Sequence, residues 1–417
     1  MSPELISLGA LAVMFLVGTL LPINIGILAF VAAFVIGTAS LGLDEAQIFE
    51  GFPVSLFVTI VGVTYLFSIA QRNGTIDLIV SYGVRLVRGK VTLIPWVLFA
   101  VAAVLTAFGT FTPAAVALLV PIGMNIAFRH RLSPLMMGMM IICGGHAGAF
   151  SPIAVSGVLV NGMIADTPLD VPPSVLLFLA SFGFNVLLSV ATFLLLRNKV
   201  QPEPAAGDAV GADEPAPGGV TWRQWLTLAL LGGLIVGALG FHLQIGFLAL
   251  AAGALLALVD MKNQAKAVDG ISWSTILLVA GMVTYVGILE KAGTIDAISE
   301  HAAVVGAPLL VALLLCLTVA ITSAFASSTA ILTAIIPIAV PLLLSSQLSA
   351  AGLVAALSIS TTIVDVSPFS TNGALVLSNA KGVDRQRFYR QVIGYTCAIV
   401  GFGPALAWGV LVLPGAF

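Results

Sequence analysis

Two similar polar interruptions lie inside long apolar segments of this sequence. Residues 148–157 have the sequence GAFSPIAVSG, and residues 364–373 have the sequence VDVSPFSTNG. Each contains a Ser-Pro dipeptide, Ser151-Pro152 in the first and Ser367-Pro368 in the second. Proline removes a backbone hydrogen-bond donor and disfavours helical backbone in the residue before it, so each dipeptide is predicted to break a helix. The carbonyl and amide groups freed at such a break could bind a cation or an anion.

An acid and a histidine lie beside these breaks. Asp365 is the only acid clearly within an apolar segment, and the equivalent position of the first break holds Ala149. Asp365 is expected to lie near a cation or to carry a proton itself; a neutral, hydrogen-bonded structural acid is the alternative. His146 could relay protons or donate to a carboxylate, or it could be a packing residue. Asn372, just after the second break, is the best placed amide.

Each interruption is preceded by two apolar segments joined by a short tip. In the first half these segments span residues 92–108 and 114–128. The tips are FTP at residues 111–113 and SST at residues 327–329, and they precede Pro121 and Pro337 by the same distance. Hydroxyl oxygens at such a tip could ligate a hard cation or donate to a carboxylate. Alternatively, small residues there only allow two helices to turn tightly.

The composition indicates an integral membrane protein, because 59% of the 417 residues are hydrophobic and 8% are charged, with a mean hydropathy of +1.14. Many apolar segments reach the roughly 20 residues of a membrane-spanning helix and none alternates like a barrel strand, so the fold class is predicted to be an all-α polytopic membrane protein. The first segment lacks a basic n-region and is expected to be a retained helix. The three cysteines are not spaced like metal ligands. Neither a cofactor nor a nucleic-acid partner is expected.

The sequence also contains an internal repeat. Two short motifs of the first half, IGILAF and GTID, return in the second half as IGFLAL and GTID. Pro121 likewise returns as Pro337, and the first Ser-Pro dipeptide returns as the second. All four matches occur in the same order and at a nearly constant offset. Residues at equivalent positions of the two halves are called repeat mates below. The repeat divides the chain into residues 1–197, a linker at 198–221 that is rich in Pro, Ala, Gly and acids, and residues 222–417. The linker is predicted to be disordered and to lie outside the membrane.

The sixteen Lys and Arg residues predict the topology. Each half is predicted to cross five times, counting the interrupted segment at 132–165 once and adding a re-entrant hairpin, so the second half is inverted. With both termini outside, fifteen of the sixteen basic residues are cytoplasmic and only Lys291 is outside, in agreement with the positive-inside rule. The linker then faces the cytoplasm, and the protein is expected in the inner membrane. Asp77 and Asp296 of the GTID motifs are expected to begin interfacial helices.

Inverted repeats with paired broken helices are typical of secondary transporters, in which half-helix N-termini face an anion and freed carbonyls coordinate a cation. No Lys or Arg is predicted within the membrane layer. An anionic substrate would therefore have to be bound by helix N-termini, hydroxyls, amides and bound cations. The alternative is that proline and glycine merely kink the two helices.

Three segments resemble a known family: GFPVSLFVTIVGVTYLFSIAQRNGTID from residue 51, GGHAGAFSPIAVSGVLVNG from residue 144 and VDVSPFSTNGALVLSNA from residue 364. They resemble the MatC-type dicarboxylate (malonate) carriers, within the wider superfamily of divalent anion:sodium symporters. The resemblance covers most of the chain apart from the linker and is most specific at the Ser-Pro segments. It implies a homodimeric elevator with a scaffold domain at the dimer contact and a transport domain that carries two re-entrant hairpins.

The resemblance also implies which residues hold sodium beside the substrate. The family's hairpin tips carry Ser-Asn-Thr, which the second tip matches with Ser in place of Asn, whereas the first tip keeps only Thr112 as a polar side chain. Asp365 has no counterpart in the family pattern. Together with the residues singled out above, the candidate sodium-binding residues are Phe111, Thr112, Gly148, Ala149, Ser327, Ser328, Val364, Asp365 and Val366. The candidate substrate-binding residues are Thr112, Pro113, His146, Ser151, Pro152, Ser328, Thr329, Ser367, Pro368, Ser370 and Asn372.

The sequence thus predicts a secondary active transporter that imports a small dicarboxylate, malonate for preference, coupled to sodium. Its expected partners are the substrate, sodium ions, the lipid bilayer and a second copy of the chain. The alternative within transport is a sodium/proton or other ion antiporter that uses Asp365. An intramembrane enzyme that uses His146 and Asp365 is not favoured, because no nucleophile elbow, metal-ligand cluster or phosphate-binding loop accompanies them.

Overall fold

The computed structural model shows an all-helical protein, which confirms the predicted fold class. It describes residues 2–21, 23–85, 91–165, 167, 169, 175–197, 219–241, 243–259, 264–295, 297, 307–325, 327–346 and 348–416. No β-strand occurs within these ranges. The inverted orientation of the two halves stays a prediction.

The helices of the first half follow the predicted apolar segments closely. They are α1 (Pro3–Leu20), α2 (Ile25–Ala39), α3 (Glu45–Phe49), α4 (Val54–Arg72), α5 (Thr75–Arg85), α6 (Ile94–Ala107), α7 (Thr112–Arg129), α8 (Pro134–Ala149), α9 (Val155–Ala165) and α10 (Val175–Leu196). The two segments predicted before the first interruption are α6 and α7, and the interrupted segment itself is split into α8 and α9. Asp77 lies in the first turn of α5, as predicted.

The second half repeats this order of helices. They are α11 (Trp222–Ile235), α12 (Ile245–Val259), α13 (Gln264–Asp269), α14 (Trp273–Lys291), α15 (Pro308–Ser323), α16 (Ser328–Ser345), α17 (Ala350–Thr362), α18 (Thr371–Asn379) and α19 (Arg385–Leu411). A π-helical turn, Val236–Gly240, follows α11, and a 3₁₀ turn, Ile363–Val366, continues α17 into the second break. Further 3₁₀ turns lie at Val91–Leu93 and Leu413–Ala416.

Six helical stretches in the described residues are long and apolar enough to cross a membrane. They are Val54–Arg72, Thr112–Arg129, Val175–Leu196, Trp273–Lys291, Ala350–Asn379 and Arg385–Leu411. Shorter apolar helices of 10–17 residues accompany them. The chain is therefore a multi-pass membrane protein, whereas the number of crossings and the sidedness of the termini stay predictions.

Part of the predicted organisation falls outside the described residues. This applies to residues 198–218 of the linker. It also applies to four of the basic residues that predict the topology and to the aspartate of the second GTID motif: Arg88, Lys90, Lys199, Lys262 and Asp296.

Helices from the two halves pack against each other reciprocally. α2 packs on α14, and its repeat mate α12 packs on α4, the mate of α14. Glycines allow backbone contact at both crossings, because a Cβ on Gly281 would clash with the Gly26 carbonyl and a Cβ on Gly62 would clash with the Gly246 carbonyl. Gly26 and Gly246 are repeat mates in the register of IGILAF and IGFLAL, and Gly62 and Gly281 are mates in the register of the GTID motifs. Small residues let membrane helices approach this closely.

α1 and α11 each make a polar contact with the opposite half, at or next to a GTID motif. The contact of α1 is with the second GTID motif, and that of α11 is with the residue before the first. Ser7 Oγ lies 2.6 Å from Thr294 Oγ1, and Asn73 Nδ2 donates to Thr227 Oγ1 at 2.7 Å. Ser7 and Thr227 are repeat mates in the register of IGILAF and IGFLAL. Thr75 Oγ1 donates to Asn73 Oδ1 at 2.6 Å and so links this contact to the first GTID motif. These reciprocal contacts support the repeat.

The two interrupted segments are deeply enclosed. Every residue of α8 is buried, with α6, α7 and α10 packed around it. Every residue of α17 from Leu353 to Thr362 is buried as well, with α15, α16 and α19 around it. The helices after the breaks cross between the halves, since α9 packs on α16 and α18 packs on α7. Irregular backbone survives at membrane depth only when protein or a polar cavity surrounds it, so this enclosure permits the breaks.

We expect Gly281→Ala to destabilise the protein by about 1–3 kcal/mol, because its methyl group forces α14 away from α2. Gly232→Ala in α11 is the matched control, since a Cβ there meets nothing within 4 Å. That control should be neutral or should stabilise the helix by up to about 1 kcal/mol. Thermal unfolding in detergent measures both variants, and equal midpoints would contradict the proposed backbone contact.

Candidate functional site

Both breaks have the same backbone geometry. In the first, the amide of Ser151 donates to the Gly148 carbonyl at 3.0 Å and that of Ala154 to the Ser151 carbonyl at 2.9 Å. In the second, the repeat mates of these residues do the same, Ser367 to Val364 at 2.9 Å and Ser370 to Ser367 at 3.0 Å. Each turn ends one helix before a Ser-Pro dipeptide and starts another after it. The prediction that the Ser-Pro dipeptides break the helices is therefore confirmed.

A glycine after each break holds the turn against the next helix. Gly157 lies in the first turn of α9 and Gly373 lies in the first turn of α18. A Cβ on Gly157 would clash with the Ser151 carbonyl oxygen, and a Cβ on Gly373 would clash with the Ser367 carbonyl oxygen. Only glycine permits this close approach of carbonyl and helix. The two glycines therefore fix where α9 and α18 point.

The tips and the breaks meet at one cavity of about 210 Å³. Nine of the predicted site residues line it: Phe111, Thr112, Pro113, His146, Ser327, Ser328, Thr329, Asp365 and Asn372. Seven further lining residues were not predicted: Ser156, Ser274, Thr275, Leu278, Leu332, Thr362 and Thr371. Neither lysine nor arginine lines the cavity in the described part of the chain.

Most of the cavity wall consists of repeat mates. Five pairs in the register of the two Ser-Pro dipeptides line it, Phe111 with Ser327, Thr112 with Ser328, Pro113 with Thr329, His146 with Thr362, and Ser156 with Asn372. The symmetry is broken at one chemically important position, since Asp365 corresponds to Ala149. The repeat alone could have identified Ser156 and Thr362 as site residues, because each is the mate of a predicted one.

Five helices begin at the cavity wall. The lining residues include first-turn residues of α7, α9, α14, α16 and α18. The N-terminus of a helix carries a partial positive charge and presents backbone N–H groups that have no partner within the helix. Five such ends around a cavity without basic side chains among its described lining residues form an environment that favours an anion.

Asp365 lies between the second tip and His146. Ser328 Oγ donates to Asp365 Oδ1 at 2.5 Å. Asp365 Oδ2 lies 3.8 Å from His146 Nε2, which is within ion-pair range but too long for a hydrogen bond. His146 is 2% exposed, and neither ring nitrogen has a hydrogen-bond partner among the described residues. Ser181 Oγ of α10 donates to the His146 carbonyl at 3.1 Å and so fixes the backbone there.

The second tip collects oxygen atoms suited to a hard cation. Ser323 Oγ lies 2.8 Å from Ser328 Oγ and donates to the Thr361 carbonyl at 2.8 Å, and Asp365 adds its carboxylate on the other side of Ser328. Hydroxyl, carbonyl and carboxylate oxygens are the donors that hard cations prefer. These residues thus supply the types of oxygen ligand that a hard cation such as sodium uses.

The first tip offers fewer oxygens. Ser323 and Asp365 correspond there to Ala107 and Ala149, so the hydroxyl and the carboxylate are both missing. Thr112 Oγ1 donates to the Gly145 carbonyl at 3.5 Å. The two tips therefore differ in the number and charge of their possible cation ligands.

Nine predicted site residues do not line the cavity: Gly148, Ala149, Ser151, Pro152, Val364, Val366, Ser367, Pro368 and Ser370. They form the breaks directly behind it. Ser370 Oγ donates to the Asp365 carbonyl at 2.5 Å and accepts from the Gly373 amide at 3.2 Å. It therefore joins Asp365 to the start of α18. The binding roles of all these residues stay predictions.

We expect Ser370→Ala to weaken ligand binding at the cavity because it releases the Asp365 backbone. Ser133→Ala is the matched control, because Ser133 Oγ accepts from the Met136 amide at 3.3 Å and caps α8 at the end remote from the cavity. Both variants should lose about 1 kcal/mol of stability with their helix caps. Only Ser370→Ala should raise the Kd of malonate in calorimetric titration, and an equal effect of both would contradict the link to Asp365.

Comparison with known proteins agrees with the geometry. The fold is similar to the crystal structure of the YdaH transporter of Alcanivorax borkumensis, with a TM-score of 0.62 and 15% identity over 90% of this chain and 88% of that chain. At this identity the likeness shows the fold alone. No curated protein matches the sequence. Residues 1–149 match the family described as the dicarboxylate carrier protein MatC N-terminus. The resemblance to the MatC-type dicarboxylate carriers is therefore confirmed over residues 1–149, and both Ser-Pro dipeptides lie outside the matched region.

Proposed function

We propose that the protein is a secondary active transporter that imports a small dicarboxylate, malonate for preference, together with sodium. The match of residues 1–149 to a dicarboxylate carrier family supports the substrate class. The proposal places the protein in the inner membrane as a homodimer, with both termini outside. The binding site is the cavity between the two tips and the two breaks.

The observation that carries this proposal is the convergence of five helix N-termini on a cavity without basic side chains among its described lining residues. A dicarboxylate needs positive potential and hydrogen-bond donors at both ends, and first-turn amides and hydroxyls supply both. The volume of about 210 Å³ lies below the roughly 300–1,000 Å³ of pockets for drug-sized ligands. It therefore suits a short diacid.

Sodium has a specific task in this proposal. Asp365 adds a negative charge to a cavity that must receive a dianion, so a cation beside Asp365 lowers the repulsion between the two. The oxygens of Ser323, Ser328, Thr361 and Asp365 are the proposed ligands. Because the cation and the anion stabilise each other, each must raise the affinity of the other by the same factor.

Alternating access is proposed to occur by an elevator movement. The tips, the breaks and the helices around them would move together against α1, α2, α4, α11, α12 and α14. The reciprocal glycine contacts between α2 and α14 and between α4 and α12 support a rigid second group of helices. A cavity made mainly of repeat mates suits movement of one body between two related positions.

An ion antiporter that uses Asp365 is the second candidate. It is favoured by the position of Asp365, whose carboxylate is the only acidic group among the described residues that line the cavity. An antiporter needs no organic anion, so transport of a labelled diacid separates the two functions.

The test of the function is uptake of labelled malonate into proteoliposomes that contain the purified protein. We expect uptake to require an inward sodium gradient and to be inhibited by other short diacids. Absence of diacid uptake under every sodium and pH gradient, with folded protein, would reject the carrier and favour ion antiport.

The coupling site is tested by Asp365→Asn and Ser328→Ala. Each should raise the sodium concentration for half-maximal uptake by about tenfold or more, because each removes an oxygen ligand or its charge. Asp77→Asn and Ser378→Ala are matched controls, since both side chains are exposed and neither residue lines the cavity. Unchanged sodium dependence in Asp365→Asn and Ser328→Ala, at normal expression, would remove these residues from the coupling site.

A further inference from the structure

We propose that the first turn of α14 binds the second carboxylate of the substrate, so that Ser274 and Thr275 make the site select diacids over monoacids. This inference rests on the proposed function. It assigns a substrate contact to a helix that lies outside both hairpins and both interrupted segments. Because α14 belongs to the group of helices against which the tips and breaks are proposed to move, this contact is made in the present conformation and is released when they move.

The contribution of α14 has no counterpart in the first half. Ser274, Thr275 and Leu278 line the cavity. Their repeat mates on α4, in the register of the GTID motifs, are Ser55, Leu56 and Thr59, and none of the three lines the cavity. The wall formed by α14 is therefore an addition to the paired residues of the tips and breaks.

The N-terminus of α14 lacks the cap that its sequence could supply. Ser272 occupies the N-cap position, yet its side chain makes no capping hydrogen bond. A serine at this position normally accepts from the second or third amide of the helix. Those amides belong to Ser274 and Thr275, which line the cavity. Such a cap is present at α2, α8, α11, α17 and α19, which begin elsewhere, and at α18, which begins at the cavity.

The hydroxyl of Ser274 is oriented to donate. Asn24 Nδ2 donates to Ser274 Oγ at 3.0 Å and to the Ser274 carbonyl at 2.8 Å. The Oγ atom thus acts as an acceptor towards Asn24, which leaves its proton for a group in the cavity. Asn24 is held in turn by the Gly26 amide, which donates to Asn24 Oδ1 at 2.9 Å. The start of α14 is consequently fixed before a ligand binds.

Independent observations show that the cavity is built for a polar ligand. Both ring nitrogens of His146 and Oδ1 of Asn372 are buried without a hydrogen-bond partner among the described residues. The two residues are 2% and 1% exposed, and both line the cavity. A buried polar group without a partner is costly, and a ligand with several oxygen atoms satisfies such groups.

Two carboxylates of one small molecule repel each other, so they are bound best at separate positive ends. The tips and breaks supply four of the helix N-termini at the cavity, and α14 supplies the fifth from a different part of the fold. Leu278, one turn after Ser274, places an apolar side chain on the same wall. It would face the methylene group between the two carboxylates.

The test compares malonate with its monomethyl ester, which has the same skeleton and one carboxylate fewer. Calorimetric titration of the purified full-length protein in detergent with saturating sodium gives the Kd of each. We expect Thr275→Val to weaken malonate binding by about tenfold, the loss typical of a hydrogen bond to a charged group. The double variant, which also carries Ser274→Ala, should weaken malonate binding further. Binding of the ester should change little. Ser55→Ala, the mate of Ser274, is the matched control.

A structural defect would weaken both ligands equally, so an unchanged ratio of the two Kd values in the variants would overturn the assignment. An equal change of this ratio in Ser55→Ala and Ser274→Ala would also overturn the assignment. Thr275→Val keeps the shape of the side chain and serves as the decisive variant if the double variant does not fold. If the wild-type protein binds neither malonate nor any other diacid, the proposed function itself fails and this inference fails with it.

Discussion

The whole arrangement depends on the cost of leaving backbone groups unpaired in a membrane. A helix that breaks at membrane depth exposes carbonyl and amide groups that lipid cannot satisfy, so other helices must surround the break. This is why every residue of α8 and most of α17 are buried. It also explains why α9 and α18 cross to the opposite half, where α16 and α7 receive them. Gly157 and Gly373 then set the direction of each new helix. The cavity lies where these constraints meet.

The electrostatics of the cavity follow from the same breaks. Each break ends one helix and starts another, and each tip does likewise, so helix N-termini collect around the cavity without any basic side chain among the described lining residues. Fixed partial charges of this kind favour an anion while leaving it exchangeable, as a transport site requires. Asp365 opposes this potential on one side only, because Ala149 stands at the equivalent position. The asymmetry gives the second tip a carboxylate that the first tip lacks.

Much of this could be predicted from local physics. Proline chemistry located both breaks at Ser151 and Ser367, and apolar length located the long helices. The register of the repeat also identifies Thr362 as a candidate site residue, because it pairs Thr362 with His146. The place of Ser274 on the cavity wall could not be predicted, because α14 has no polar interruption and its approach to the cavity depends on tertiary packing. Short helices such as α3 were missed for a different reason: they are polar and lie between the long apolar segments.

The reciprocal contacts of the two halves have a consequence for how the chain is made. α2 and α4 meet their close partners, α14 and α12, through glycine-to-backbone contacts with the second half. During synthesis these glycine surfaces therefore stay without their final partners until the second half has been translated. Domains usually fold as units while the chain emerges. α6, α7, α8 and α10 pack against one another within the first half, whereas α2 and α4 gain their close partners only when α12 and α14 arrive, so this part of the fold is completed late.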